Sequence, residues 1–228
     1  MITGTIDRTC KTILKELQKN NFNIDTIYDI GANDGRWTRK WTPIFPQASF
    51  IMFEANPDNV VIPRTNDRFF TQVLSDEDDK IVTFYNADTG KENTGDSYYK
   101  ELTHNYNDNN MTQLMTKKLD TFVKENKLSQ PDFIKLDTQG AEVDIIKGGS
   151  KTLKNCKIIL TETPVMRYND GAPKFSEYID ILYDNNFIPT GVDHIAIRKG
   201  ILNQMDIVFI RKDIAQDLYN YKERYKGF

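Results

Sequence analysis

Cysteine is scarce in this 228-residue chain, with Cys10 and Cys156 far apart. Two cysteines cannot build a disulfide framework, and their spacing fits no zinc cluster of close ligands. The pattern suits two reduced thiols, so a cytoplasmic location is expected. Histidine is equally rare, with His104 and His194 only. No run approaches the ~18 apolar residues of a bilayer span, so no membrane span is expected. The segment Met1–Asn21 carries Arg8, Lys11, Lys15 and Lys19 and lacks the apolar stretch of a signal peptide. Charge of one sign is missing too. Lys and Arg number 30 against 33 Asp and Glu, a net −3. That balance favours neither nucleic acid nor an anionic membrane as the main partner. The sequence leaves oligomeric state open.

Core material is ample. Hydrophobic residues make up 39% and aromatics 11% of the chain, which excludes a disordered chain and a collagen-like repeat. At roughly 100–200 residues per domain, a single domain over 1–228 is expected. Ile13, Leu14 and Leu17 place an amphipathic helix over Thr9–Asn20. A strand over Ile24–Ile30 follows, then a helix over Trp37–Ile44 that Pro43 and Pro46 stop. Phe50–Glu54 and Phe69–Leu74 read as the next strands. Alternation over Ile81–Asn86 adds another. The polar stretch Asp88–Thr112 breaks the rhythm. Its length and its Tyr98, Tyr99, His104 and Tyr106 suit an insertion near an acceptor site. A helix at Leu119–Lys127, a strand at Phe133–Asp137 and a helix at Ala141–Leu153 follow. Then come a strand at Lys157–Thr163, a helix at Phe175–Asn185, strands at Phe187–Val192 and Met205–Ile210, and a helix at Ile214–Tyr225. Alternating strands and helices predict an α/β fold with a doubly wound, Rossmann-like sheet.

Three acids stand at three successive strand ends. Asp29-Ile-Gly-Ala-Asn-Asp-Gly35 forms a strand-to-helix turn, Glu54 ends the next strand, and Asp76 follows the third. Glycines let a ligand approach the backbone, and an acid about twenty residues on accepts ribose hydroxyls. The spacing is not G-x-G-x-x-G, because position 33 is Asn. Asp29 and Asp34 also put negative charge where a pyrophosphate would sit. Acids there suit a ligand with a cationic amino group and a sulfonium, such as S-adenosylmethionine. An NAD(P)-dependent enzyme and a non-catalytic nucleotide-binding protein of the same fold are the alternatives.

A second constellation is Ile134-Lys-Leu-Asp-Thr-Gln-Gly-Ala-Glu142, followed by Gly148-Gly149 and by Glu162 at the next strand end. Together with Tyr28-Asp-Ile-Gly-Ala-Asn-Asp-Gly35, Phe53-Glu54 and Leu74-Ser-Asp76, it resembles the FkbM family of S-adenosylmethionine-dependent methyltransferases. The resemblance runs from about Ile27 to Val192. It implies the class I methyltransferase fold, a seven-stranded and mostly parallel sheet with helices on both faces. It also implies methyl transfer to a hydroxyl of a sugar, a glycan end or a related small molecule. On the same resemblance Asp29, Gly31, Asn33 and Gly35 hold the methionine moiety and Glu54 the ribose. Ser75 and Asp76 border the adenine, and Asp137 faces the transferred methyl.

A sugar hydroxyl needs a base or a metal at neutral pH. Asp137 is the first candidate base. As a strand-end acid it could instead cap the helix at Ala141. Asp137 and Glu162 together could instead hold Mg²⁺ through oxygen ligands. His194, in Gly191-Val-Asp-His194, is a further candidate base at its ordinary pKa, although a lone loop histidine is more often a surface residue.

Overall fold

The computed structural model describes residues 9–87, 95–102 and 110–219. Its main sheet has seven strands in the order β3-β2-β1-β7-β8-β10-β9. These are β1 (Thr26–Ile30), β2 (Ser49–Glu54), β3 (Arg68–Thr71), β7 (Phe133–Leu136), β8 (Ile158–Pro164), β9 (Phe187–Arg198) and β10 (Ile201–Arg211). Only β10 runs against the others, pairing antiparallel with both β8 and β9. This is the expected mostly parallel, doubly wound sheet. A second sheet of three strands has the order β4-β6-β5: β4 (Val73–Ser75), β6 (Met111–Lys118) and β5 (Ile81–Tyr85).

Both faces of the main sheet are covered, which is why its central strands read as unbroken apolar runs. On one face Tyr28, Ile30, Phe53, Ile134 and Leu136 pack against α3 (Leu119–Glu125), α4 (Glu142–Gly148) and α5 (Phe175–Asp184). On the other, Ile27, Phe50, Phe133 and Ile158 meet α1 (Thr9–Lys19), α2 (Arg36–Trp41) and α6 (Lys212–Tyr219). Successive strand residues thus serve opposite faces. Cys10 and Cys156 are free and buried. Among the described residues no helix is long and apolar enough to cross a membrane.

The structure redraws three segments. Phe69–Leu74 is not one strand. β3 pairs with β2 in the main sheet and β4 with β6 in the second, and the chain changes sheet at Gln72. The insertion runs into a strand the sequence did not show: its last two residues, Met111 and Thr112, open β6, which pairs with β5 from Met111 to Met115. Its residues 88–94 and 103–109, with His104 and Tyr106, lie outside the described residues. The last two strands are about twice the expected length and form a long hairpin.

The chain steps outward from β1 through β2 to β3, then returns to place β7 on the other side of β1. The order therefore reverses between β1 and β7. Ligands of such sheets bind outside the carboxyl ends of the strands at this reversal.

Candidate active site

At the reversal, β1 runs into a turn with Gly31, Asn33 and Gly35 all at positive φ. Gly31 is required there twice over. Its φ is +76°, and a Cβ would lie 1.8 Å from the Asp137 carbonyl oxygen. The Gly31 and Ala32 amides donate to the Phe53 carbonyl at 2.9 and 3.0 Å, tying the turn to β2. Glu54 completes the tie. Its Oε2 accepts the Asn33 amide at 2.7 Å and its Oε1 the Asn56 amide at 2.8 Å. Burial pushes the Glu54 carboxyl up, against those two amides. Among the described residues each oxygen accepts that one bond, which leaves it a lone pair for a ligand.

A cavity of about 290 Å³ opens on this turn. Gly31, Asn33 and Glu54 line one end, and Asp137, Thr138, Gln139 and Glu162 line the other. Phe53, Leu74, Phe84 and Ile145 supply apolar wall between them. Of the remaining turn and strand-end residues, Gly35 and Asp34 face a separate groove beside Val61 and Arg64. Ser75 is buried just behind the lining, with its hydroxyl 3.3 Å from that of Tyr98, and Asp76 is exposed. Asp29 is wholly buried beneath the turn. Its Oδ2 accepts the Thr38 hydroxyl at 2.7 Å, and its Oδ1 lies 3.1 Å from the Lys135 ammonium.

The acids at the far end are organised by their neighbours. Asp137 and Glu162 follow adjacent strands, and one Gln139 amide donates to both, at 3.1 Å and 3.2 Å. Burial works to raise the Asp137 carboxyl. The Lys135 ammonium and hydrogen bonds from Glu162 and Gln139 outweigh it and hold Asp137 below the ordinary carboxylate range. Its side chain is 42% exposed, although protein surrounds the carboxylate over the range its charge acts. Glu162 goes the other way. Burial, then the charges of Asp137 and Glu142, push it far above that range, and the Tyr168 hydroxyl donating at 2.8 Å does not reverse this. Two close carboxyls sharing one proton behave in this manner. Glu142 is buried and structural. Its two oxygens take the Thr138 amide at 2.6 Å, the Gly140 amide at 3.0 Å and the Tyr178 hydroxyl at 3.0 Å, fixing the loop that carries Gln139.

Across the sheet, Glu162 lies opposite Asp206 in the β8–β10 ladder, and Asp206 lies opposite His194 in the β10–β9 ladder. Asp206 Oδ2 is 3.9 Å from His194 Nδ1. Burial, then the Asp137 charge, raise Asp206 to about 6, with His194 opposing. His194 is therefore a strand residue on the hairpin, not a loop residue, and it lies outside the cavity lining. Among the described residues, no group of three or more His, Cys, Asp and Glu side chains is arranged to hold a metal ion.

Residues 95–102 form a strap over the cavity, and Gly95, Asp96, Ser97 and Tyr98 line it. Tyr98 and Tyr99 donate to Asp144 Oδ2 of α4 at 3.0 and 2.6 Å. Their hydroxyls are thereby anchored to α4, while Tyr98 still lines the cavity. Further on, the Leu102 amide bonds the Tyr168 carbonyl at 2.8 Å, and the Asp170 amide bonds the Lys100 carbonyl at 2.7 Å.

The Methyltransferase FkbM domain matches residues 29–189, more than half of the chain and every element that builds the cavity. The chain belongs to the FkbM methyltransferase family. It is thus a methyltransferase domain, and the family's donor, S-adenosylmethionine, is the ligand against which the cavity is to be read. The 2-O-methyltransferase NoeI of Sinorhizobium fredii is 28% identical over 189 residues, covering 73% of this chain and 76% of that protein. Magnesium protoporphyrin IX methyltransferase (ChlM) of Synechocystis, solved with bound SAM, is 11% identical with a TM-score of 0.48, covering 89% of this chain and 77% of that one. A 1,6-didemethyltoxoflavin-N1-methyltransferase of Burkholderia thailandensis gives 10%, 0.45, 92% and 80%. At these values the two structural likenesses add nothing to the family match.

Lys135, Asp96 and Asp206 belong to this site, and the sequence pattern assigned none of them a role. For Lys135 there was a signal. A lysine inside an otherwise apolar strand, two residues before an acid, stays charged there only if paired.

Proposed function

We propose that this domain transfers a methyl group from S-adenosylmethionine to a hydroxyl of a sugar, a glycan end or a related small molecule. The observation that carries the reading is that one cavity runs from Glu54 and the Gly31 turn to the Asp137–Glu162 pair. The lining fits the donor. An acid with free lone pairs suits ribose hydroxyls, the apolar stretch suits a flat base, and an ionised Asp137 suits a cationic centre. When bound, S-adenosylmethionine supplies an electrophilic methyl on a sulfonium.

Glu54 accepts the ribose hydroxyls, while Gly31 and Asn33 form the bed for the amino-acid end. Asp29 and Gly35 act beneath and behind that bed, by holding the turn. Ser75 and Asp76 close the adenine side behind Leu74. Asp137 accepts the hydrogen bond of the incoming hydroxyl and takes up its proton as the oxygen is methylated. Glu162, protonated, donates to Asp137 and keeps it oriented. Gln139 puts amide hydrogens between the two carboxyls, where an ion bridging them would sit. The hydroxyl as nucleophile is supported by the 2-O-methyltransferase relative. Two free buried cysteines suit a reducing compartment, and the cytoplasm is the proposed location.

The test is incubation with methyl-labelled S-adenosylmethionine and a panel of glycosides, oligosaccharides and simple alcohols. Label should appear in a methyl ether, identified by its O–CH₃ proton resonance. Label on nitrogen or carbon alone would refute the hydroxyl assignment.

A further inference from the structure

Lys135 is only 5% exposed, in the middle of a parallel sheet. A buried ammonium is costly unless each of its three hydrogens finds a partner. Here it has one hydrogen bond and two carboxylates within ion-pair distance. Nζ donates to the Gly31 carbonyl at 2.7 Å and lies 3.1 Å from Asp29 Oδ1 and 3.4 Å from Asp137 Oδ2. Asp29 is its register partner across the β1–β7 ladder, and Asp137 stands two residues on along the same face. The three partners have different places in the site. Asp29 lies under it, Gly31 is the turn at the donor end, and Asp137 is the acid at the far end.

Charge balance with Asp29 alone would need only one of these contacts. The other two cross the site. We propose that Lys135 is a positioning residue: its ammonium holds the Gly31 carbonyl and the Asp137 carboxylate in fixed relation, so that the donor turn is pre-shaped. The inference rests on the reading of the cavity as the S-adenosylmethionine site. Without the ammonium, Gly31 loses a partner for its carbonyl and the turn loses its tie to β7. The donor must then order the turn as it binds, and affinity falls.

The probe is S-adenosylhomocysteine, followed by calorimetry alongside thermal unfolding. Lys135→Met alone strands the Asp29 charge and should unfold at a clearly lower temperature. The double variant Lys135→Met/Asp29→Asn removes both charges, and Asn can still accept the Thr38 hydroxyl. Its unfolding midpoint should return toward wild type. Its affinity for S-adenosylhomocysteine should remain about tenfold or more weaker, the usual scale for a lost charge-assisted hydrogen bond. A double variant that binds like wild type would overturn the inference and leave the donor reading intact. Wild type that does not bind the probe would overturn both. Lys135→Arg keeps a buried cation for Asp29 but carries a rigid fork in place of a point charge. It covers the case of a double variant that fails to fold: a similar loss of affinity supports the proposal, and wild-type affinity overturns it.

Discussion

Asp137 and Glu162 sit side by side at the ends of adjacent strands, and their surroundings drive their carboxyl groups in opposite directions. Lys135 sits on the Asp137 side and stabilises its charge, while Glu162 faces buried space, other acids, a tyrosine hydroxyl and the Gln139 amide it shares with Asp137. The arrangement separates two roles within one pair. The ionised member can accept a proton, and the protonated member can donate a hydrogen bond.

Replacing Asp137 by Asn should therefore lower the rate of methyl transfer at saturating donor by about 10²–10⁴-fold, the usual contribution of a positioned base. S-adenosylhomocysteine affinity should change little. Initial rates with an acceptor found by the labelled panel, set beside calorimetry, separate the two. Full activity in the variant would remove Asp137 from the chemistry.

Asp206 offers a pH test. Its folded carboxyl titrates at about 6 against an ordinary value of 3.8. A raised folded value favours the protonated form. Its contribution to stability is complete below the unfolded value and is lost as pH rises through about 6. Asp206→Asn removes that loss. Relative to wild type, the variant should gain roughly 1–3 kcal/mol between pH 4 and pH 7.5. Urea unfolding at the two pH values measures it, and a constant difference would contradict the burial argument.

Gly148 ends α4 against β4. A Cβ there would lie 2.1 Å from the Ser75 carbonyl oxygen, which is backbone and cannot swing away. Gly→Ala in a helix ordinarily gains up to about 1 kcal/mol. Overlap with a fixed neighbour costs about 1–3 kcal/mol, so the clash should win. Gly148→Ala should lower the unfolding free energy, measured by urea denaturation.

The strap over the cavity hangs on Asp144, which accepts both tyrosine hydroxyls. Asp144→Ala leaves two hydroxyls without their acceptor, at about 1.5–3 kcal/mol for each charge-assisted bond at most. The expected outcome is faster limited proteolysis within 95–102 and weaker binding of S-adenosylhomocysteine. Unchanged cleavage would show that other contacts hold the strap.

The main sheet was legible because its central strands, β1, β2, β7 and β8, are buried on both faces and end in turn residues or acids. The split at Gln72 was not. Both Phe69-Phe70 and Val73-Leu74 are apolar, and only hydrogen-bond partners tell which sheet each half joins. β6 was hidden because most of its residues are exposed or half-buried, leaving no apolar alternation to read. The hairpin outgrew its expected length where its strands leave the core and pair mainly with each other. In the site, Gly31, Glu54, Asp137 and Glu162 were visible as strand-end residues. Asp96 and Asp206 reach it from distant segments through loop packing and ladder register, which linear spacing does not encode.

The proposed function requires that the Gly31 turn and Glu54 hold S-adenosylmethionine. Calorimetric titration of wild type and Glu54→Ala with S-adenosylhomocysteine, with NAD as a parallel ligand, tests it most directly. Wild type should bind S-adenosylhomocysteine with a Kd on the order of micromolar. Glu54→Ala should bind it about 1–3 kcal/mol more weakly, because the ribose loses a charged acceptor and the Asn33 and Asn56 amides lose theirs. NAD should give no saturable heat. Binding of NAD in place of S-adenosylhomocysteine, or undiminished affinity in Glu54→Ala, would contradict the account.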